Sequence, residues 1–344
     1  MNITVLGAGN WGMTAALLLH GNGHSIRVWE FNEKYAESMR RDHENKTFLP
    51  GFPIPEDVHV TSNLADALID AELAVFAVPS SYMRDTAKSA ANTGALGNNT
   101  LCASLSKGLE YATISTMTEI IADETGGNTT VALSGPCIAD EVAHGLPTTI
   151  VSASEDIQAA ECVRDAFMNQ RFRVYTSPDP LGVQLGGALK NIIAMSAGIL
   201  DGFYRESPAS LGSVAFGTNA KSALVTRGIV EIIRFGTSLG AQAATFTGLS
   251  GIGDLITTCF SGHSRNRHVG EELGRGRTLD DILGDMVMVA EGIPTTRAVY
   301  AYAREHGIDM PITEMVHEVM YSGLAPKDAV DALMSREPKP ERMH

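Results

Sequence analysis

Lys190 is the residue whose type and setting most invite chemistry. It lies in Leu185-Gly186-Gly187-Ala188-Leu189-Lys190-Asn191-Ile192-Ile193, an almost uncharged run. Desolvation there would lower its pKa toward working pH, so it could stabilise a developing alkoxide and also protonate it. It reads equally as a lysine snorkelling from an apolar helix to solvent. Asp254 follows Gly251-x-Gly253 and precedes an apolar segment. It reads as a helix N-cap, or as a carboxylate that holds Lys190 or a substrate hydroxyl. Ser264-Arg265-Asn266-Arg267 also opens a helix. An arginine and helix-start N–H groups suit a phosphate, and the plainer reading is a solvated basic turn. Lys107 stands beside Gly108 at the end of an apolar strand, facing a ligand or lying on a surface loop. Cys137 is not read as a nucleophile, because no histidine is suitably placed in the local sequence and buried cysteine is usually inert.

The second chemical pattern is Gly7-Ala8-Gly9-Asn10-Trp11-Gly12, between the apolar run Ile3–Leu6 and the apolar segment Met13–Leu19. That order is strand, tight turn, helix. Gly7 permits the turn, Gly9 lets a pyrophosphate approach the backbone, and Gly12 lets the helix lie close on the sheet. The helix N-terminus then faces the phosphates with free N–H groups and a positive dipole end. Glu30 ends the next strand, about 20 residues on, where an acid hydrogen-bonds ribose hydroxyls and repels a 2′-phosphate. Its plainer reading is a solvated acid opening the helix that follows.

These residues need elements to hold them. Strands are expected at 2–6, 24–29, 58–61, 73–79, 100–105, 130–133, 148–152 and 172–176, with helices between them and a loop over 46–57. Beyond Ser177 the pattern turns helical, with helices at 187–200, 221–238, 266–273, 295–306, 312–321 and 326–334 and a junction at Gly182–Gly187. The expectation is an α/β domain on a mostly parallel sheet (1–182) followed by an all-α domain (183–344). The 344 residues suffice for two domains. A net charge of −14 argues against nucleic acid as the main partner. The four cysteines are scattered with no C-x-x-C pair, so a reducing compartment and no metal site are expected. The chain begins directly in the first strand, leaving no room for a signal peptide, and no apolar run is expected to approach the roughly 18 residues a membrane helix needs.

Taken in order, Gly7–Gly12, Lys107-Gly108-Leu109-Glu110, Ser134-Gly135-Pro136, Gly187-Ala188-Leu189-Lys190-Asn191, Gly251-Ile252-Gly253-Asp254-Leu255, Ser264–Arg267 and Glu291-Gly292 resemble NAD(P)-dependent glycerol-3-phosphate dehydrogenase. The resemblance covers residues 2 to about 325. It implies a Rossmann-like domain, then a helical substrate domain. It also implies reversible hydride transfer between dihydroxyacetone phosphate and sn-glycerol 3-phosphate in the cytoplasm, feeding glycerophospholipid synthesis, by a homodimer. Lys190 would be the acid/base. Substrate contacts would fall on Lys107, Gly135, Cys137, Lys190, Asn191, Asp254, Thr258, Ser264, Arg265 and Asn266. Cofactor contacts would fall on the glycine turn with Asn10 and Trp11, and on Glu30, Phe31, Lys107, Ala139, Arg265, Val289 and Glu291. Phe31-Asn32 stand where some relatives carry a basic residue, which favours NAD while leaving NADP open. Cys137 departs from the usual bacterial serine, and the chain looks about ten residues longer around Tyr204–Ser213. Other dehydrogenases with a helical second domain and a non-catalytic NAD sensor are the competing readings.

Overall fold

Asn2–Leu6 forms a strand (β1) whose residues alternate onto two buried faces: Ile3 and Val5 enter one core and Leu6 the other. The structure, a computed structural model, describes residues 1–206, 217–286, 289–338 and 340–341. The strands after β1 are β2 (Ser25–Trp29), β3 (Glu44–Asn45), β4 (Leu49–Pro53), β5 (His59–Thr61), β6 (Leu73–Phe76), β7 (Leu101–Ser104), β8 (Thr130–Ser134), β9 (Thr148–Ala153) and β10 (Phe172–Ser177). Eight of them make one sheet in the order β10-β9-β8-β7-β6-β1-β2-β5. Every neighbouring pair is parallel except β8 with β9. The strand order reverses between β1 and β6, so the carboxyl ends of these strands border a crevice of the kind that binds nucleotides.

The chain divides into two compact units, Met1–Lys107 with Ser115–Gln184, and Gly108–Ile114 with Leu185–His344. In the first, residues 46–57 are not the plain loop expected. Leu49–Pro53 pairs antiparallel with Glu44–Asn45 as a ribbon of its own. Its prolines hid it from a propensity reading, yet a two-stranded ribbon tolerates proline because an edge N–H needs no partner.

The second unit is helical. The helix Pro180–Glu206, which belongs to this unit from Leu185 on, starts well before the expected 187 and runs straight through the glycines read as a junction. Those glycines serve close packing: a Cβ on Gly186 would stand 2.6 Å from the Ser250 carbonyl oxygen. The same helix corrects the expectation about apolar runs. Pro180–Phe203 is long and apolar enough to cross a membrane, but 94% of its apolar window is buried, so it is a core helix. It locks against the helix Arg265–Gly274 through glycines on both sides. A Cβ on Gly198 or Gly202 would run into the carbonyl oxygens of Arg267 or Glu271, and one on Gly270 or Gly274 into those of Met195 or Ile199. Asp201 adds an ionic tie, its Oδ2 accepting from Lys221 Nζ and Arg267 Nε, each at 2.7 Å. Residues 207–216, and with them most of the expected insertion around Tyr204–Ser213, lie outside the described residues.

Candidate functional site

The predicted residues gather into clusters that each lie within one unit. In the helical unit the Pro180–Glu206 helix carries Lys190 into the interior, where the residue is 6% exposed. Lys190 Nζ donates to Asp254 Oδ1 at 2.5 Å and to Thr258 Oγ1 at 2.6 Å. The lysine is therefore not the snorkelling one. Asp254 is not the N-cap either. It is the first residue of the helix Asp254–Phe260, Gly253 occupies the cap position, and the carboxylate points to Lys190. One helical turn on, the Thr258 hydroxyl donates to the Asp254 carbonyl at 2.7 Å, which leaves its oxygen to accept from Lys190. The result is a buried ammonium held between a carboxylate and a hydroxyl.

Ser264 caps the next helix, its Oγ accepting from Arg267 N at 3.2 Å. Asn266 bridges outward from that helix: its Nδ2 donates to Asn191 Oδ1 at 2.9 Å, and its Oδ1 accepts from Gly292 N at 2.8 Å. Arg265 Nη1 donates to the Val289 carbonyl at 2.9 Å. The consecutive pair Arg265-Asn266 thus grips the turn Val289–Gly292, which includes Glu291, and ties it to Asn191 beside Lys190. Gly292 is needed there, since a Cβ would come within 3.0 Å of the Asn191 carbonyl oxygen. Its role was not foreseen, although the Glu291-Gly292 motif marked the place.

In the first unit Lys107 Nζ donates to the Gly135 carbonyl at 2.9 Å and to Cys137 Sγ at 3.4 Å. Cys137 Sγ donates to the same carbonyl at 3.1 Å. Gly135 has φ +140° and a Cβ would meet Ile150, so only glycine fits. The Ser134 hydroxyl is buried with no partner beside this cluster.

The glycine turn also behaves as its spacing implies. Gly7 has φ +110°, and a Cβ on Gly12 would run into the Gly7 carbonyl. A Cβ on Gly9 would meet nothing within 4 Å, so the turn is open where a pyrophosphate would approach. Gly9 caps the helix Asn10–Gly21 without a side-chain bond, and Asn10 Oδ1 is buried with no partner. Thr14 Oγ1 bridges this helix start to Ala139, donating to the carbonyls of Asn10 at 2.9 Å and Ala139 at 3.5 Å. Trp11 packs toward Phe172 with ring centroids 6.4 Å apart. These features fit a dinucleotide: an open cradle, unspent helix-start donors and an orphaned polar side chain. Glu30 is 6% exposed rather than solvated. Burial pushes its carboxyl upward against the opposing bond from Asn32 N, which donates to Oε1 at 3.1 Å. The helix after it is capped by Asn32, not Glu30. Phe31 stands 77% exposed.

Residues 2–160 match the family described as NAD-dependent glycerol-3-phosphate dehydrogenase N-terminus, and residues 179–331 match its C-terminus. A glycerol-3-phosphate dehydrogenase [NAD(P)+] from Chlorobium luteolum is 44% identical over 99% of this chain and all of its own length. One from Salinibacter ruber is 46% identical over 99% of this chain and 96% of its own. The crystal structure of glycerol-3-phosphate dehydrogenase from Coxiella burnetii superposes with a TM-score of 0.90 at 34% identity, covering 97% of this chain and 99% of that one. The motifs, the fold and these matches agree along the whole chain, which belongs to the NAD-dependent glycerol-3-phosphate dehydrogenase family.

Proposed function

We propose that the protein reduces dihydroxyacetone phosphate to sn-glycerol 3-phosphate, reversibly, with Lys190 as acid/base. The observation that carries this is the buried Lys190 ammonium held by Asp254 and Thr258 at 2.5 and 2.6 Å. Bound NAD(P)H supplies the hydride that adds to the carbonyl carbon. As charge grows on the carbonyl oxygen, the Lys190 ammonium stabilises it and delivers a proton, giving the alcohol and a neutral amine. Asp254 and Thr258 together fix the position and direction of Lys190 Nζ. In the reverse direction the neutral amine takes the hydroxyl proton.

Arg265, with Ser264, Asn266 and the start of their helix, receives the phosphate, because a dianion on a chain of net charge −14 needs a local cation. The resemblance makes Asn191 a further substrate contact, and makes Lys107, Gly135 and Cys137 candidates too, with Lys107 also a candidate for the cofactor. Gly7, Gly9, Asn10, Trp11 and Gly12 would hold the cofactor's phosphates, Glu30 and Phe31 would meet its ribose, and the resemblance adds Ala139, Val289 and Glu291 as candidate contacts. Residues 1–182 serve as the cofactor domain and 183–344 as the substrate domain. The setting is a cytoplasmic homodimer supplying glycerophospholipid synthesis.

The direct test follows the absorbance of reduced nicotinamide with purified protein and dihydroxyacetone phosphate. Oxidation that requires the phosphorylated ketone supports the reading. No oxidation with it, or equal rates with unphosphorylated dihydroxyacetone, overturns it.

A further inference from the structure

Behind the glycine turn sits a polar side chain that the motifs do not include. Asn45, on β3, is 1% exposed. Its Nδ2 donates to the carbonyl oxygen of Ala8 at 2.7 Å, in the middle of the Gly7-Ala8-Gly9 turn. The amide can face only one way. Phe48 N donates to Oδ1 at 2.9 Å, and the Tyr35 hydroxyl donates to the same oxygen. Two donors claim the oxygen, so the NH2 end must address Ala8. Tyr35 is itself fixed, with its ring edge-on to Phe48 at 5.7 Å. The ribbon of β3 and β4, inserted between the helix Glu33–Asp42 and β5, thus delivers one donor to one backbone carbonyl of the turn.

That carbonyl matters because the turn must hold an unusual shape. Gly7 sits at φ +110°, and Gly9 must leave its open side clear. The peptide plane that carries this carbonyl joins Ala8 to Gly9, and on its glycine side it has little of its own to restrain it, since glycine populates both signs of φ. A buried donor on Ala8 removes that freedom before a ligand arrives, and preorganisation of this kind strengthens binding by cutting the ordering cost.

We propose that Asn45, oriented by Tyr35, is a positioning residue for the cofactor, acting through the Ala8 carbonyl. The proposal rests on the glycine turn being the cofactor site, so the experiment carries a control for that. The measurement is the NADH dissociation constant by fluorescence titration, alongside kcat, the KM for dihydroxyacetone phosphate and thermal unfolding. Gly9→Val, which fills the open side, should abolish NADH binding; if it binds normally, the turn is not the site and the underlying reading fails.

With that control passed, Asn45→Ala should weaken NADH about tenfold, the scale of one buried hydrogen bond. Its kcat at saturating NADH and its KM for dihydroxyacetone phosphate should stay within about twofold of wild type. Tyr35→Phe should weaken NADH about threefold, and the double variant should match Asn45→Ala alone, because the two act through one bond. A merely structural Asn45 would lower the unfolding temperature without this split. NADH affinity unchanged in folded Asn45→Ala, the NADH dissociation constant and the KM for dihydroxyacetone phosphate rising together, or additive effects of the two substitutions would overturn the proposal. If Asn45→Ala does not fold, Tyr35→Phe decides alone: weakened NADH affinity upholds the proposal and unchanged affinity overturns it.

Discussion

At the scale of residues, the site turns on a charge kept where charge is costly. Lys190 and Asp254 are buried together, and removing one partner leaves the other uncompensated. Lys190→Ala should therefore be judged by a split readout. Turnover should fall by about 10²–10⁴, the range for a lost general acid, while NADH affinity holds. A kcat within about threefold of wild type, under roughly 1 kcal/mol of barrier, would remove Lys190 from the chemistry. Arg265→Lys keeps the charge but loses the planar fork that suits phosphate oxygens and reaches Val289. It should raise the KM for dihydroxyacetone phosphate about tenfold, one lost charge-assisted bond. It should hardly alter the poor use of dihydroxyacetone. Equal damage to both substrates would make Arg265 structural or a cofactor contact only. The glycine turn was legible because its chemistry is written in neighbouring residues, whereas Lys190 stood level with a snorkelling lysine until the resemblance was added. Thr258 came through the resemblance only as a substrate contact, and its bond to Lys190 was not read at all, since the two lie 68 residues apart. Asn45 left no trace, because its meaning depends on a carbonyl 37 residues away.

At the scale of elements, the glycine lock sets where Lys190 sits. A methyl on Gly270 has only the Met195 carbonyl to occupy. Gly270→Ala must push the Arg265–Gly274 helix off the Lys190 helix. It should cost about 1–3 kcal/mol of stability, the range for overpacking, and lower kcat as well. Denaturation midpoints and kinetics that match wild type would show the contact to be slack. A second element-level device is Glu231 on the helix Thr218–Ser238. It caps the helix Pro311–Tyr321, accepting from Ile312 N at 2.6 Å and Thr313 N at 3.2 Å. Burial pushes its carboxyl from 4.5 up to about 7. A raised acid favours the folded state while protonated, so its contribution is complete below pH 4.5 and is lost as pH climbs through about 7. The loss is on the order of 3 kcal/mol. Urea unfolding at acid and neutral pH should show a smaller fall for Glu231→Gln than for wild type, and identical pH profiles would refute the assignment. Long apolar strands and helices were readable from periodicity. The β3–β4 ribbon and the start of the Pro180–Glu206 helix were not, because proline and glycine there answer to edges and close contacts rather than to chain breaks.

At the scale of the whole molecule, a ligand that binds only the folded chain stabilises it, and the gain ranks cofactors without turnover. NADH at about 100 times its dissociation constant should add about 2.7 kcal/mol to unfolding of the unit that holds it. NADPH at the same concentration should add less, because the Glu30 carboxyl directly follows β2 and Phe31, not a cation, comes next. Glu30→Ala should narrow the gap, and an unchanged gap would place the preference elsewhere. The central helix carries a different kind of consequence, one for the newly made chain. Pro180–Phe203 has the length and hydropathy of a membrane segment before its partners exist. The carboxylate that pairs with Lys190 in the fold lies 64 residues further on, so it is made later than this segment. A lysine near the middle of such a segment adds about 2.5–3.5 kcal/mol against insertion into a bilayer. The lysine proposed as acid/base therefore also raises the cost of placing this segment in a bilayer.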